Sequence, residues 1–114
     1  MTRLNVIALT CALLITSTNA EARMDCGRTQ RAYFHIADRS LNLALEWARK
    51  FRHVAAQPGA VVVQRRHGRA LGGGPGGHVS RIVRNTGHCR AVVSDNAGTY
   101  ERDICRNLVA YVMP

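Results

Sequence analysis

The chain has 114 residues, and 16 Lys and Arg residues against 7 Asp and Glu residues give it a formal charge of +9 at pH 7. A chain of this length holds one domain at most, and its apolar fraction of 46% is too high for a disordered basic tail. Every positive residue except Lys50 is an arginine, the side chain best suited to bidentate contacts with phosphate or carboxylate groups.

Residues 1–22 have the features of an export signal. Arg3 supplies a positive charge, residues 6–15 form an apolar run, and Ala20-Glu21-Ala22 is a small-x-small cleavage site. The apolar run is shorter than the roughly 18–20 residues needed to span a bilayer. We therefore expect residues 23–114 to form a single domain that is exported to the periplasm or the cell exterior, without stable membrane insertion.

The first part of the mature chain is predicted to be helical. Asp25 is a suitable N-cap for a helix over residues 26–35, although Gly27 weakens that helix. A second helix is predicted after Ser40, because apolar residues recur there at helical spacing. The stripe that we expect to pack in the core consists of Leu41, Ala44, Leu45, Ala48 and Phe51, with Trp47 beside it.

Beyond Gln57-Pro58-Gly59 the periodicity changes from helix to strand. Five segments rich in Val and Ile are each predicted to be a β-strand, namely residues 60–65, 78–84, 89–94, 100–105 and 108–113. Helices followed by strands with short connections predict an α+β fold, in which N-terminal helices pack on an antiparallel sheet of about five strands.

The connection over residues 72–77 consists of glycine and proline alone. We expect a hairpin loop there. The alternative is a flap beside a functional site, because a loop without side chains lets a substrate approach the next residue, His78.

The cysteine count predicts one disulfide and one free thiol. Loss of Cys11 with the signal leaves Cys26, Cys89 and Cys105, an odd number in a compartment where disulfides persist. The favoured pairing joins Cys89 to Cys105 and leaves Cys26 free. A disulfide that uses Cys26, or three reduced thiols, are the alternatives.

A hairpin supports the Cys89–Cys105 pairing. A three-residue loop over residues 96–98, centred on Ala97, places the two cysteines opposite each other at a separation that a disulfide can close. The same register places acidic and apolar side chains on one face of the hairpin. Because that arrangement is unfavourable, a β-bulge that interrupts the register is the alternative. The residues in conflict are Glu101, Asp103, Ala91 and Val93.

Three residue types of a thiol-dependent hydrolase occur in the order Cys, His, Asn. Cys26 falls in the first turn of the predicted helix, where backbone N–H groups favour a thiolate. His78 begins the second strand, and Asp95 and Asn96 end the next one. We predict Cys26 as the nucleophile, His78 as the base, and Asn96, or else Asp95, as the group that orients the imidazole. No metal site and no cofactor are predicted, because the histidines lack the close spacing of zinc ligands.

The segments around these residues resemble the sequence blocks of the CHAP and NlpC-type cysteine amidases and peptidases. The similar blocks are Cys26-Gly27, Pro58-Gly59-Ala60-Val61-Val62-Val63, Gly77-His78-Val79-Ser80-Arg81-Ile82-Val83 and Val92-Val93-Ser94-Asp95-Asn96. The resemblance implies a papain-like fold, the same roles for the candidate residues, and hydrolysis of amide bonds, which many members cut in peptidoglycan.

The excess of arginine favours an anionic partner. A cationic surface concentrates an enzyme on an anionic polymer such as the cell wall, and Arg65, Arg66 and Arg69 form the candidate anion-binding patch. A non-catalytic exported module that binds an anionic surface through this patch is the alternative function. A basic ribonuclease is less favoured, because aromatic residues for base stacking make up only 5% of the chain. We expect a monomer that does not bind nucleic acid.

Overall fold

The computed structural model describes residues 25–69 and 75–114. The predicted export signal, and with it the predicted cleavage after residue 22, lies outside the described residues. So do residues 72–74 of the Gly/Pro connection and the side chain of Arg69, whereas residues 75–77, which were predicted to be loop, belong to a strand. In the part of the chain that is described, no helix is both long enough and apolar enough to cross a bilayer.

The helical elements come first in the chain. They are α1 (Cys26–Phe34), a short 3-10 helix (Arg39–Asn42) and α2 (Glu46–Lys50). Helix α1 begins where the sequence predicts, because the Asp25 carboxylate accepts a hydrogen bond of 2.8 Å from the backbone N–H of Arg28. It ends at His35, which adopts the left-handed conformation with φ 55°.

The second predicted helix is divided in two. Leu43 adopts an extended conformation, so the 3-10 helix ends before α2 begins. The Trp47 indole N–H donates to the Leu41 carbonyl at 2.7 Å, so this carbonyl bonds to a side chain instead of continuing a helical ladder. The apolar stripe still packs as predicted, with Leu41, Ala44 and Trp47 buried.

The rest of the chain forms one six-stranded antiparallel sheet with strand order β1-β6-β2-β3-β4-β5. The strands are β1 (Arg52–His53), β2 (Val61–Arg69), β3 (Pro75–Gly87), β4 (Arg90–Asp95), β5 (Gly98–Asp103) and β6 (Leu108–Met113). The predicted α+β class is confirmed, and the count of about five strands misses β1. That strand has two exposed residues and pairs only with β6, so it leaves no periodic signal.

The sheet is buried on both faces. Val61 and Val63 of β2 belong to the cluster that includes Trp47, whereas Val62 between them belongs to a second cluster with Ile82. Side chains alternate across a strand, so these two clusters lie on opposite faces. Burial on both faces explains why β2 begins with a continuous run of valines and not with an alternating pattern.

The Cys89–Cys105 disulfide is confirmed, with a Cα–Cα distance of 5.2 Å, and Cys26 is a free thiol. Closing a loop of this length stabilises a small domain by about 3 kcal/mol in the chain-entropy model. The predicted hairpin register is wrong by one residue, because Asp95 pairs with Gly98 across a two-residue turn and not with Thr99 across a three-residue loop.

The shorter turn removes the conflict that the predicted register contained. Tyr100 now pairs with Val93, and Arg102 pairs with Ala91. The acidic residues Glu101 and Asp103 are exposed. No bulge interrupts the described pairing of β4 with β5.

Gly27 is required by packing and does not merely weaken α1. A Cβ atom at Gly27 would lie 2.8 Å from the Asn42 carbonyl oxygen and would also overlap the Leu41 carbonyl oxygen. Alanine raises helix propensity by only about 1 kcal/mol, whereas overpacking costs about 1–3 kcal/mol, and a clash with rigid backbone belongs at the upper end, about 2–3 kcal/mol.

We therefore expect Gly27→Ala to lower the free energy of unfolding by about 1–2 kcal/mol, the difference between these two effects, as measured by urea denaturation. Gly87→Ala is the matched control, because the nearest neighbour of an added Cβ is 3.9 Å away there. A Gly27→Ala protein as stable as the parent would contradict the close approach of α1 to the 3-10 helix.

Candidate active site

Cys26 lies at the start of α1, next to the point on the sheet where strand β4 ends. Strand β4 ends at Asp95, and its pairing with β3 extends only as far as Arg81. Beyond that point the Cys26 sulfur accepts a hydrogen bond from the backbone N–H of Val79 on β3. The thiol therefore lies at both a helix N-terminus and a strand edge.

His78 is the residue that precedes Val79 on β3, and it pairs with Gln64 of β2. It is only 4% exposed. Its Nε2 atom lies 2.7 Å from Oδ2 of Asp95, and its ring also forms a hydrogen bond with the Cys26 side chain. Because Nε2 faces Asp95, Nδ1 is the ring nitrogen on the other side, and Nη2 of Arg66 lies 3.1 Å from it.

Asp95 is held rigidly by the turn that follows β4. Its Oδ1 atom accepts the backbone N–H of Ala97 at 2.8 Å, and its Oδ2 atom accepts the Tyr100 hydroxyl at 2.6 Å. Of the two residues predicted to orient the imidazole, Asp95 hydrogen-bonds Nε2 of His78. Asn96 lies in the two-residue turn.

Three further side chains extend this network, and the sequence analysis missed them. Arg102 donates to the Tyr100 hydroxyl at 3.0 Å and to Oε1 of Gln64 at 2.8 Å. Gln64 is buried and donates to the carbonyls of Asp103 and Arg106. The two-residue turn was the signal that could have found them, because only that register places Tyr100 and Arg102 on the face of Asp95.

The three central groups shift the pKa values of one another. Burial alone raises the pKa of the Cys26 thiol, but the hydrogen bonds from His78 and from the Val79 N–H, with the positive charges of His78 and Arg66, bring it below its usual value. Burial alone lowers the pKa of His78, but its bonds with Asp95 and Cys26 raise it overall. The same His78 and Tyr100 bonds keep the pKa of Asp95 low despite burial.

These directions favour one charge state of the site. A thiol with a lowered pKa beside an imidazole with a raised pKa favours thiolate and imidazolium together. The ionised carboxylate of Asp95 then faces the imidazolium on the other side of the ring. The arrangement can therefore supply a nucleophile and a proton donor from neighbouring groups.

The predicted arginine patch is not a separate surface. Arg66 reaches the site itself, with Nη2 3.1 Å from Nδ1 of His78. Both Arg65 and Arg66 line a cavity of about 330 Å³ next to His78, whereas the Arg69 side chain lies outside the described residues. The other lining residues are Gln64, His67, His78, Arg102, Asp103, Arg106 and Asn107.

Metal chemistry has no evident ligand set here. Within residues 25–69 and 75–114, no three His, Cys, Asp or Glu side chains are grouped so that they could hold an ion.

Comparison with known proteins identifies no relative: no protein-family model, no curated protein and no solved structure matches this chain. The resemblance to CHAP and NlpC-type enzymes therefore stays a prediction, and the functional interpretation depends on the geometry of the site.

Proposed function

We propose that this protein is a cysteine hydrolase of papain-like arrangement that cleaves amide bonds. Cys26 is the nucleophile, His78 the general acid and base, and Asp95 the residue that positions the imidazole. One observation carries the proposal: the buried imidazole of His78 bonds a buried carboxylate through Nε2, and the same ring interacts with the Cys26 thiol and lowers its pKa. This is the spatial relation that nucleophilic catalysis by a thiol requires.

Acylation follows from this geometry. The Cys26 thiolate attacks the amide carbonyl carbon, a carbon–sulfur bond forms, and the carbonyl oxygen takes up the negative charge. His78 then donates its Nδ1 proton to the amide nitrogen as the carbon–nitrogen bond breaks. The amine leaves, and the acyl group remains on sulfur as a thioester.

Deacylation uses the same groups in reverse. Neutral His78 takes a proton from water through Nδ1, and the resulting hydroxide-like oxygen attacks the thioester. The carbon–sulfur bond breaks, a carboxylic acid leaves, and thiolate and imidazolium are restored. Asp95 stabilises the imidazolium throughout because its carboxylate stays bonded to Nε2.

The start of α1 can stabilise the oxyanion. The first helical backbone bond runs from the Thr29 N–H to the Asp25 carbonyl, and the Arg28 N–H is capped by the Asp25 side chain. The N–H groups of Cys26 and Gly27 precede these donors and belong to the helix N-terminal set without intrahelical acceptors. Donors of this kind next to the nucleophile favour the tetrahedral intermediate.

We propose that the enzyme acts outside the cytoplasm on cell-wall peptides, as a monomer. The Cys89–Cys105 disulfide supports export, because disulfides persist in oxidising compartments. The formal charge of +9 supports a substrate that is part of an anionic polymer. A non-catalytic basic module remains the alternative, and it predicts binding that is independent of Cys26.

The pH dependence of thiol alkylation tests the proposed charge state. An ordinary cysteine has a pKa near 8.5 and is almost fully protonated at about pH 6. Because the pKa of Cys26 is lowered, we expect iodoacetamide to alkylate it at pH 6 at least tenfold faster than a free cysteine in a peptide. Alkylation is quantified at Cys26 itself by mass spectrometry of the digested protein.

The two groups with shifted pKa values, Cys26 and His78, limit hydrolysis at opposite ends of the pH range. As the pH falls through the lowered pKa of Cys26, the nucleophile is protonated, and as it rises through the raised pKa of His78, the proton donor is lost. Hydrolysis should thus follow a bell-shaped profile, whereas alkylation should stay fast above the upper pKa. Alkylation of Cys26 only near pH 8.5 and above would contradict the proposed ion pair.

A further inference from the structure

The cavity beside His78 is lined by more positively charged side chains than the proposed acylation and deacylation steps use. Its volume of about 330 Å³ falls at the lower end of the roughly 300–1,000 Å³ that is typical of small-molecule sites. Four arginines and one acidic residue contribute to its wall, namely Arg65, Arg66, Arg102, Arg106 and Asp103.

Within the cavity, Asp103 offsets at most one of these four positive charges, since it interacts with Arg106. Oδ1 of Asp103 accepts two backbone N–H groups, from Cys105 and Arg106. Among residues 25–69 and 75–114, the arginines of the cavity take part in none of the ion pairs. A recess walled by guanidinium groups favours an anionic ligand, and a planar guanidinium is matched to a carboxylate.

The position of the cavity indicates which part of a substrate it receives. His78 and Arg66 line the cavity and Cys26 does not, so a group held there lies on the imidazole side of the thiol. During acylation the Nδ1 proton passes to the leaving nitrogen. The guanidinium of Arg66 lies 3.1 Å from that same Nδ1 atom, and therefore next to the leaving group.

The dimensions of an amino acid fit this arrangement. In an amino-acid leaving group, the carboxylate carbon is two bonds from the nitrogen, at a distance of about 2.5 Å from standard bond lengths. A nitrogen that receives the Nδ1 proton of His78 would thus bring its own carboxylate within reach of Arg66.

We propose that the leaving group carries a free carboxylate that binds Arg66 in this cavity. The substrate class is then an N-acylated amino acid, or a peptide from which the C-terminal residue is removed. This inference rests on the proposed hydrolase function and names the substrate of that same site.

Paired peptides test the proposal directly. One pool of N-acetylated dipeptides ends in a free carboxylate, and a second pool of the same sequences ends in a carboxamide. We expect the parent protein to release the C-terminal residue of the acids at least tenfold faster than that of the amides, as measured by mass spectrometry. Arg66→Gln should remove this preference, and Arg52→Gln, on a strand that does not line the cavity, should keep it.

Alkylation provides a readout that does not depend on having found a substrate. The ratio of the Cys26 alkylation rates with iodoacetate and with iodoacetamide should fall about tenfold in Arg66→Gln, the size of one charge-assisted hydrogen bond, and should be unchanged in Arg52→Gln. This readout decides the matter where neither pool is cleaved.

The outcomes separate the two proposals. Equal cleavage of acids and amides, or an alkylation ratio that is the same in the parent and in Arg66→Gln, would overturn the carboxylate site and leave the hydrolase intact. A Cys26 thiol that reacts with neither reagent at pH 6 would overturn both.

Discussion

Cys26→Ala should reduce amide hydrolysis by about 10⁵-fold or more, to the level left by binding and oxyanion stabilisation alone. In the proposed mechanism, the Cys26 sulfur is the only group of the described site that attacks the carbonyl carbon. Within this site, no hydroxyl is hydrogen-bonded to His78 that could replace the thiol as nucleophile. The measurement is the release of amines from soluble cell-wall peptides and from N-acetylated dipeptides, followed by mass spectrometry.

Two controls make this result specific. Cys26→Ser keeps the size of the side chain and should also be inactive, because a hydroxyl beside this imidazole is a far weaker nucleophile than a thiolate. Circular dichroism and an intact Cys89–Cys105 disulfide should show that both variants fold. Undiminished hydrolysis by Cys26→Ala would remove Cys26 from the mechanism. Salt-sensitive binding to an anionic polymer that persists without any hydrolysis in the parent would favour the non-catalytic module.

Asp95→Asn should lower kcat by about 10²–10⁴-fold while the fold is maintained. The amide can still bond to the ring, but it cannot stabilise the imidazolium, and it can hold His78 in the wrong tautomer. Since the Asp95 bond is the largest influence that raises the pKa of His78, its loss should lower that pKa. The thiolate then loses its counter-charge, so alkylation of Cys26 at pH 6 should slow as well.

Asn96→Ala is the matched control for this prediction, because it changes the next residue of the same turn. It should leave both kcat and the alkylation profile within about threefold of the parent, since the carboxylate bonded to Nε2 belongs to Asp95. A larger loss in Asn96→Ala than in Asp95→Asn would reverse the assignment of the positioning residue.

The order of the elements could be predicted because it depends on local signals. The Asp25 cap determines where α1 begins, and the change in periodicity near Pro58 separates helices from strands. The strands were found approximately, with their ends displaced by several residues. The predicted helix after Ser40 was broken by a contact of the Trp47 indole, which no local pattern records.

The sequence predicted the residue types of the candidate site, but it did not predict which residue orients the imidazole of His78. Cys26 could be selected because a helix start is a local feature, whereas His78 was predicted to begin a strand and is the fourth residue of β3, which begins at Pro75. The choice between Asp95 and Asn96 was left open, because it depends on which residue of the turn faces His78. A turn shorter by one residue changes that face along the whole of β5.

The sequence by itself determined the α+β class and the start of α1 at Cys26, since periodicity and caps are properties of neighbouring residues, and it favoured the Cys89–Cys105 pairing that the structure confirms. Only the tertiary structure decided that Gly27 must lack a side chain, that Asp95 contacts His78, and that Arg66 joins the site. Each of these depends on distances between segments far apart in the chain, and such distances are determined by strand register and packing.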